Sequence, residues 1–296
     1  MPLLHLLHLS NFPIFSQLQI EEALLRASRL NVCIINEGSP LSIVLGISNR
    51  YEEHVAHNIS IPVIQRFSGG GSVVVDKDTI FLSFICQNDF LQTAVFPEVL
   101  FTWSSNFYKK ALELPDFHYR EYDYVVGNYK CAGNAQYLRK DRFVHHTSFL
   151  WNYQREHMDY LKQPPKMPAY RCNRTHTDFL CKLQDFFPSK DNFISRVRST
   201  LKNAFLVKDI NLEDVRMEIT ASLQNTSIYS FYRQKITLFL YHIEYYETIS
   251  RFFRKHVCLL QSNCSITCEY WRSNIHSRIF AFRYSARINL LFIRAT

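Results

Sequence analysis

Apolar positions in the first two thirds of the chain follow two alternating periods. In "QIEEALLRAS" (19–28), Ile20, Ala23 and Leu24 share one helical face and the acids come early, which predicts a first helix. "LSIVLGIS" and "IPVIQRF" are short apolar runs of strand length. "SVVVDKDTIFLSFIC" reads as a β-hairpin whose Asp-Lys-Asp turn separates two strands. "PEVLFTWSSNFYKKALEL" (97–114) starts with Pro and places Val99, Leu100, Trp103, Phe107 and Ala111 at helical spacing, so a helix packed on the sheet is expected. "YDYVVG" and "FVHHTSFLW" are further β stretches, with "NYKCAGNAQYLRKD" between them. "QREHMDYL", "THTDFLCKLQDFF" and "KDNFISRVRSTLKNAF" read as helices, the last with an apolar stripe of Phe193, Ile194, Val197, Leu201, Ala204 and Phe205. Paired strands and separate helices predict an α+β fold, a mixed or antiparallel sheet packed with helices, rather than a doubly wound parallel sheet.

Composition adds limits. The 296 residues are 47% hydrophobic and 20% charged, which excludes a largely disordered chain. The net charge of +8 is confined to one end: residues 216–296 hold 11 Lys and Arg against 4 Asp and Glu, or +7, leaving +1 for residues 1–215. A near-neutral body argues against nucleic acid as the main partner. Residues 216–296 also contain neither Gly nor Pro, where average usage would place about ten. The expected organisation is therefore a catalytic domain over 1–215 and a basic extension over 216–296. The extension reads as a helical accessory domain, as a membrane-adjacent or partner-binding segment, or as sequence without a function of its own.

Eight cysteines include no CxxC pair, and no run of 18 apolar residues marks a membrane span. "MPLLHLLHLSNFPIF" has no basic n-region and no small-residue cleavage site. A reducing compartment is expected, the cytoplasm first and the mitochondrion second, although no clear transit peptide is present.

The chemistry concentrates in three segments. "QRFSGGGSVVVDKDTIFLSF" (65–84) places three of the chain's seven glycines side by side. Either this is a hairpin turn, or something approaches the main chain closely there. It is neither a P-loop nor GxGxxG, yet exposed N–H groups beside Arg66 suit anionic oxygens. In "EYDYVVGNYKCAGNAQ" (121–136), Lys130 sits between Gly127 and Gly133, where small residues would let a ligand pass. Such a lysine either stabilises charge building on a carboxyl or phosphate oxygen or is simply solvated. If the segment is extended, Cys131 points the opposite way. In "HHTSFLW" (145–151), His145 and His146 either line a pocket or serve packing.

Together these residues resemble the superfamily of lipoate-protein ligase A, octanoyltransferase and biotin ligase. The pattern R-x-S-G-G-G-x-V-x-x-D matches Arg66, Ser68, Gly69, Gly70, Gly71, Val73 and Asp76; G-x-x-K-x-x-G-x-A matches Gly127, Lys130, Gly133 and Ala135. Order and spacing agree from residue 10 to about 215, and the likeness is greatest to the lipoate-protein ligase A-like proteins of plants and some bacteria. The resemblance implies a catalytic domain that uses ATP and Mg2+ to activate lipoate as lipoyl-AMP. It then passes the acyl group to a lysine of a lipoyl carrier domain, as in 2-oxoacid dehydrogenase acyltransferase subunits or the glycine cleavage H protein. By the same resemblance, Gly69–Gly71 lie against the lipoyl chain and adenylate, and Gly133 and Ala135 border them. Lys130 contacts the acyl and phosphate oxygens, Arg66 helps neutralise the anion, Ser68 offers a hydroxyl, and Asp123 sits near magnesium and phosphate. Asp76 is either part of the site or a turn residue.

The chain departs from the family pattern at two places: Val75 stands where bacterial ligases carry His, and Glu121-Tyr122 precedes Asp123 where they carry an Asn-Asp pair. These departures leave room for an ATP-independent octanoyl or lipoyl transferase, with Cys172 or Cys181 as thioester nucleophile. A non-catalytic carrier-binding paralogue is the third class. Biotin ligation is disfavoured, because the Gly-Arg-Gly-Arg-type loop is replaced by "QRFSGGGS".

Overall fold

The computed structural model describes residues 1–225. Eleven strands and seven helices follow in chain order: β1 (Leu3–Ser10), α1 (Ile14–Ala27), β2 (Val32–Glu37), β3 (Ser42–Leu45), α2 (Tyr51–His54), β4 (Val63–Gln65), β5 (Val73–Val75), β6 (Thr79–Gln87), α3 (Pro97–Leu112), β7 (Phe117–Arg120), β8 (Asp123–Val126), β9 (Tyr129–Leu138), β10 (Arg142–Leu150), α4 (Arg155–Met158), α5 (His176–Phe179), α6 (Lys190–Ala204), β11 (Leu206–Ile210) and α7 (Leu212–Asn225).

Eight strands form one mixed sheet in the order β11-β1-β2-β6-β10-β9-β8-β7; β4-β3-β5 form a second, small sheet. The large sheet is parallel across β11-β1-β2 and antiparallel from β2 to β7. Its strand β6 is buried along nearly its whole length because both faces are covered. On one face α3 and α6 build the main core, where Phe84, Phe107, Tyr108, Phe149, Phe193 and Leu201 meet. On the other, α1 and the small sheet close over Phe81 with Ile14, Leu18, Val44 and Val75.

The α+β architecture and the helices at α1, α3 and α6 agree with the hydrophobic pattern. Several elements differ. "SVVVDKDTIFLSFIC" is not a hairpin: β5 pairs with β3 in the small sheet, while β6 lies between β2 and β10 in the large one. The turn itself is tight, but apolar periodicity marks strands without naming their partners. "NYKCAGNAQYLRKD" is largely strand β9 rather than a connection. "THTDFLCKLQDFF" is broken into the short α5, capped by the Thr175 side chain, and a 3-10 turn at Leu183–Asp185, because Leu180 extends between them to pair with Lys130. The boundary expected at 215/216 falls inside α7, whose Val215, Ile219 and Leu223 are buried. Ser28 at the end of α1 donates a 2.7 Å hydrogen bond to Glu218 of α7. The remainder of the expected extension, residues 226–296, lies outside the described residues.

Candidate active site

The site lies on the α1 face of the large sheet, and a backbone irregularity creates it. Strands β8 and β9 pair Asp123 with Gly133 and Tyr124 with Ala132, but Val125 pairs with Lys130, leaving Cys131 as an extra residue. Strict alternation would send Lys130 to the same side as Ala132, into the aromatic core. The bulge resets the phase. Cys131 and Ala132 both face the core, while Lys130 joins Asp123, Gly133 and Ala135 on the opposite face. Gly133 makes room for the lysine: a Cβ there would stand 3.4 Å from Nζ.

Lys130 Nζ forms a 2.8 Å ion pair with Asp123 Oδ1, the two side chains being 22% and 11% exposed. Tyr170 Oη donates to the other carboxylate oxygen at 2.8 Å. Burial and the Asp123 charge both push the Tyr170 phenol up, so it stays a donor. Glu121 holds this tyrosine in place, accepting hydrogen bonds from the Ala169 (2.6 Å) and Tyr170 (3.3 Å) amides. It can do so because Glu121 and Tyr122 form a left-handed turn, at φ 45° and 73°, between β7 and β8. The departure from Asn-Asp is therefore a clamp on residues 169–170. Both Asp123 oxygens are engaged, so a Mg2+ arriving with substrate phosphates would have to share one of them; among the described residues no trio of His, Cys, Asp or Glu could hold a metal by itself.

The glycine loop rests on β9. The Gly69 amide donates to the Gln136 carbonyl at 3.2 Å. At Gly70, φ is +107° and a Cβ would meet Arg66 Nη2 at 2.7 Å and the Asn134 carbonyl at 2.8 Å, so glycine is required by the protein itself. At Gly71 a Cβ would meet nothing within 4 Å, so internal packing does not demand glycine there. Arg66, expected to help neutralise an anion, is tied to the loop itself. Its guanidinium is buried and donates to the Gly69 and Gly71 carbonyls at 2.9 and 2.8 Å, buckling the loop. Burial pulls it down to about 10, with Glu21 opposing, so it remains charged. Ser68 is buried beneath the loop, and its carbonyl accepts the Ile47 amide.

Asp76 is a turn residue. Its Oδ1 accepts the Asp78 amide at 2.9 Å, and its Oδ2 meets His157 at 3.1 Å. Val75 packs in the apolar cluster under α1. His145 and His146 separate by strand alternation. His145 faces α3, where burial first and His146 second pull it down to about 3, so it is neutral. His146 faces the site and joins a buried network that sequence reasoning did not anticipate. Ser83 donates to Glu21 at 2.6 Å, so His146 Nδ1 carries the proton that reaches Glu21 at 2.9 Å. Gln17 also donates to Glu21, and Asn36 to Gln17. Burial raises the Glu21 carboxyl, but His146 and these hydrogen bonds outweigh it and hold it low.

Neither expected nucleophile reaches the lysine amine. Cys172 is exposed and donates to the Ala169 carbonyl at 3.5 Å. Cys181 lies one step beyond the Lys130–Leu180 pairing, and its thiol meets that of Cys131 on the core side. The segments missed from sequence, Glu121 and Tyr170–Arg171, carry no local signal; only the register brings them to Asp123. A surface depression of about 310 Å³ along Glu98, Val99, Thr102, Trp103 and Asn106 of α3 shares no residue with the site.

The model of the lipoyl protein ligase A/B catalytic domain matches residues 13–206, which include both the glycine loop and Lys130. The chain belongs to that family. Among lipoate ligases, the chain is 28% identical to "Inactive lipoate–protein ligase 2" of Plasmodium falciparum, over 70% of this chain and 71% of that protein. The lipoyl ligase fold is shared with a bipartite lipoate protein ligase of Thermoplasma acidophilum, solved in a study with its E2 lipoyl domain, at 16% identity and TM-score 0.61, covering 76% and 93% of the two chains. A lipoate-protein ligase A bound with ATP has the same fold, at 15% identity and TM-score 0.59, covering 76% and 94%.

Proposed function

We propose that this protein binds a lipoyl or octanoyl group along the open side of the glycine loop, beside Lys130, and transfers it from an activated donor to a lysine of a lipoyl carrier domain. The observation that carries the reading is the bulge that turns Lys130 onto the site face beside Asp123. Lipoyl-AMP presents an acyl carbonyl joined to a phosphate, and both gain from a fixed cation. Attack by the acceptor amine places negative charge on the carbonyl oxygen, and an ammonium held before the reaction stabilises it without reorganisation. Asp123 and Tyr170 hold Lys130 in place, and the open side of Gly71 leaves the loop backbone free to lie along the acyl donor.

ATP-driven formation of the adenylate is the finer question. ATP with Mg2+ would require Asp123, already held by Lys130 and Tyr170, to share an oxygen with the metal. Transfer from a preformed adenylate makes no such demand. The Plasmodium relative is named inactive, so the two half-reactions are best separated. Intact-mass measurement of an apo lipoyl domain serves this purpose, after incubation with the protein and either lipoyl-AMP or lipoate with ATP and Mg2+. Modification from lipoyl-AMP above the protein-free rate is the predicted result. No acceleration from either donor would reject acyl transfer and leave carrier binding as the remaining role.

A further inference from the structure

A second cation beside Asp123 is not assigned by either sequence motif. Arg171 follows Tyr170 in the segment clamped by Glu121, and only 4% of it is exposed. Its Nε donates to the Arg174 carbonyl at 2.9 Å, and the guanidinium lies 5.0 Å from the Phe179 ring centroid. Its Nη2, in contrast, is buried without a hydrogen-bond partner. An orphaned buried donor on a charged group is costly; Arg142 at the far end of β10 also has such donors, but Arg171 is the one beside the site, where a ligand can complete it. The backbone is bent to hold it there: Cys172 and Asn173 are both left-handed, at φ 51° and 56°, directly after Arg171.

The charges around it are unbalanced. Asp123 is within electrostatic reach of Arg171, but its two oxygens hold Lys130 and Tyr170. Glu121 is occupied with the Ala169 and Tyr170 amides. Arg174, next along the segment, gives its own donors to the Tyr170, Arg171 and Asn128 carbonyls. Arg66, the cation that the glycine motif would supply, is committed to the loop carbonyls. One buried positive charge with a free donor is left over at the site.

We infer that Arg171 binds an oxyanion of the acyl donor next to the Lys130–Asp123 pair, through Nη2. This deepens the proposed function and rests on it. The shared chemistry is a carboxylate or phosphate oxygen; the sources are the acid end of lipoate and the phosphates of a nucleotide.

The test is calorimetric titration of the full chain, wild type, Arg171→Met and Arg171→Lys, with lipoate, with its neutral amide lipoamide, and with ATP. If Arg171 holds the carboxylate, wild type favours lipoate over lipoamide by about tenfold or more. Arg171→Met then brings the two affinities together by weakening lipoate alone. If it holds phosphate, Arg171→Met keeps the lipoate preference and loses about tenfold or more in ATP affinity. Met covers Phe179 as the arginine stem does; should it nevertheless unfold the protein, Arg171→Lys keeps the charge without the fork and should show the same loss in part. Unchanged discrimination and unchanged ATP affinity in a folded variant would overturn the assignment of Arg171 alone. Wild type binding none of the three compounds would overturn this inference, whereas the proposed function fails separately, if lipoyl-AMP modifies the lipoyl domain no faster with the protein than without it.

Discussion

Gly70 and Gly71 are adjacent, yet the structure gives them opposite reasons to be glycine, and alanine at each separates the two. At Gly70, alanine meets a φ of +107°, which costs about 1–3 kcal/mol for a residue with a Cβ. The new methyl also falls 2.7 Å from Arg66 Nη2 and 2.8 Å from the Asn134 carbonyl. The arginine end can move, but it then loosens its bonds to the Gly69 and Gly71 carbonyls, whereas the Asn134 carbonyl is part of β9. Together these effects make Gly70→Ala about 2–4 kcal/mol less stable, a drop in Tm on the order of 5–15 °C. At Gly71 nothing lies within 4 Å of the added methyl and φ is not in the left-handed range. Gly71→Ala should keep its stability or gain about 0.4–1 kcal/mol from reduced freedom of the unfolded chain. If the donor lies along this loop, Gly71→Ala nonetheless weakens lipoate binding. Thermal denaturation and lipoate titration of both variants measure these outcomes. Equal Tm values for the two would refute the conformational argument. A Gly71→Ala variant that binds lipoate as wild type does would refute the placement of the ligand.

Two further predictions follow from the charges around the sheet. His145 is held neutral to about pH 3, while the unfolded chain takes up that proton near 6.5, so stability is complete above about 6.5 and falls as pH drops toward 3, by up to about 1.4 kcal/mol per pH unit. His145→Gln should flatten the decline of Tm between pH 6.5 and 4.5; below that, protonation of the depressed Glu21 carboxyl adds its own loss. Glu121→Ala removes two hydrogen bonds at an exposed position, about 1 kcal/mol, and should speed limited proteolysis near residues 165–175 about fivefold without changing global Tm by more than a few degrees.

The sequence was most informative where a residue's role is local. The stripe of α6, the Pro-initiated α3 and the two glycine-rich motifs are legible because period and spacing are properties of one segment. What lay beyond it depends on pairing. The split of β5 from β6 into different sheets, and the bulge that puts Cys131 and Ala132 on one face and so turns Lys130 onto the other, follow from register, which apolar runs leave open. The match at Arg66 was correct as a motif, yet its work is done on the loop's carbonyls. Glu21 looked like an early acid of an amphipathic helix; its burial against His146 requires β6 and β10 to be adjacent, a contact across 125 positions. Tyr170 and Arg171 reach Asp123 only because Glu121 and the Lys130–Leu180 pairing bring a distant segment back over β9.

The central claim is that Lys130 stabilises the acyl group during transfer, and the most direct test is a single-turnover measurement from preformed lipoyl-AMP to an apo lipoyl domain. Asp123 keeps Tyr170 as a partner in Lys130→Ala, so that variant should fold, and saturating lipoyl-AMP separates slower transfer from weaker binding. The account predicts that it transfers at least about a hundredfold more slowly than wild type. Equal rates in the two proteins would contradict it.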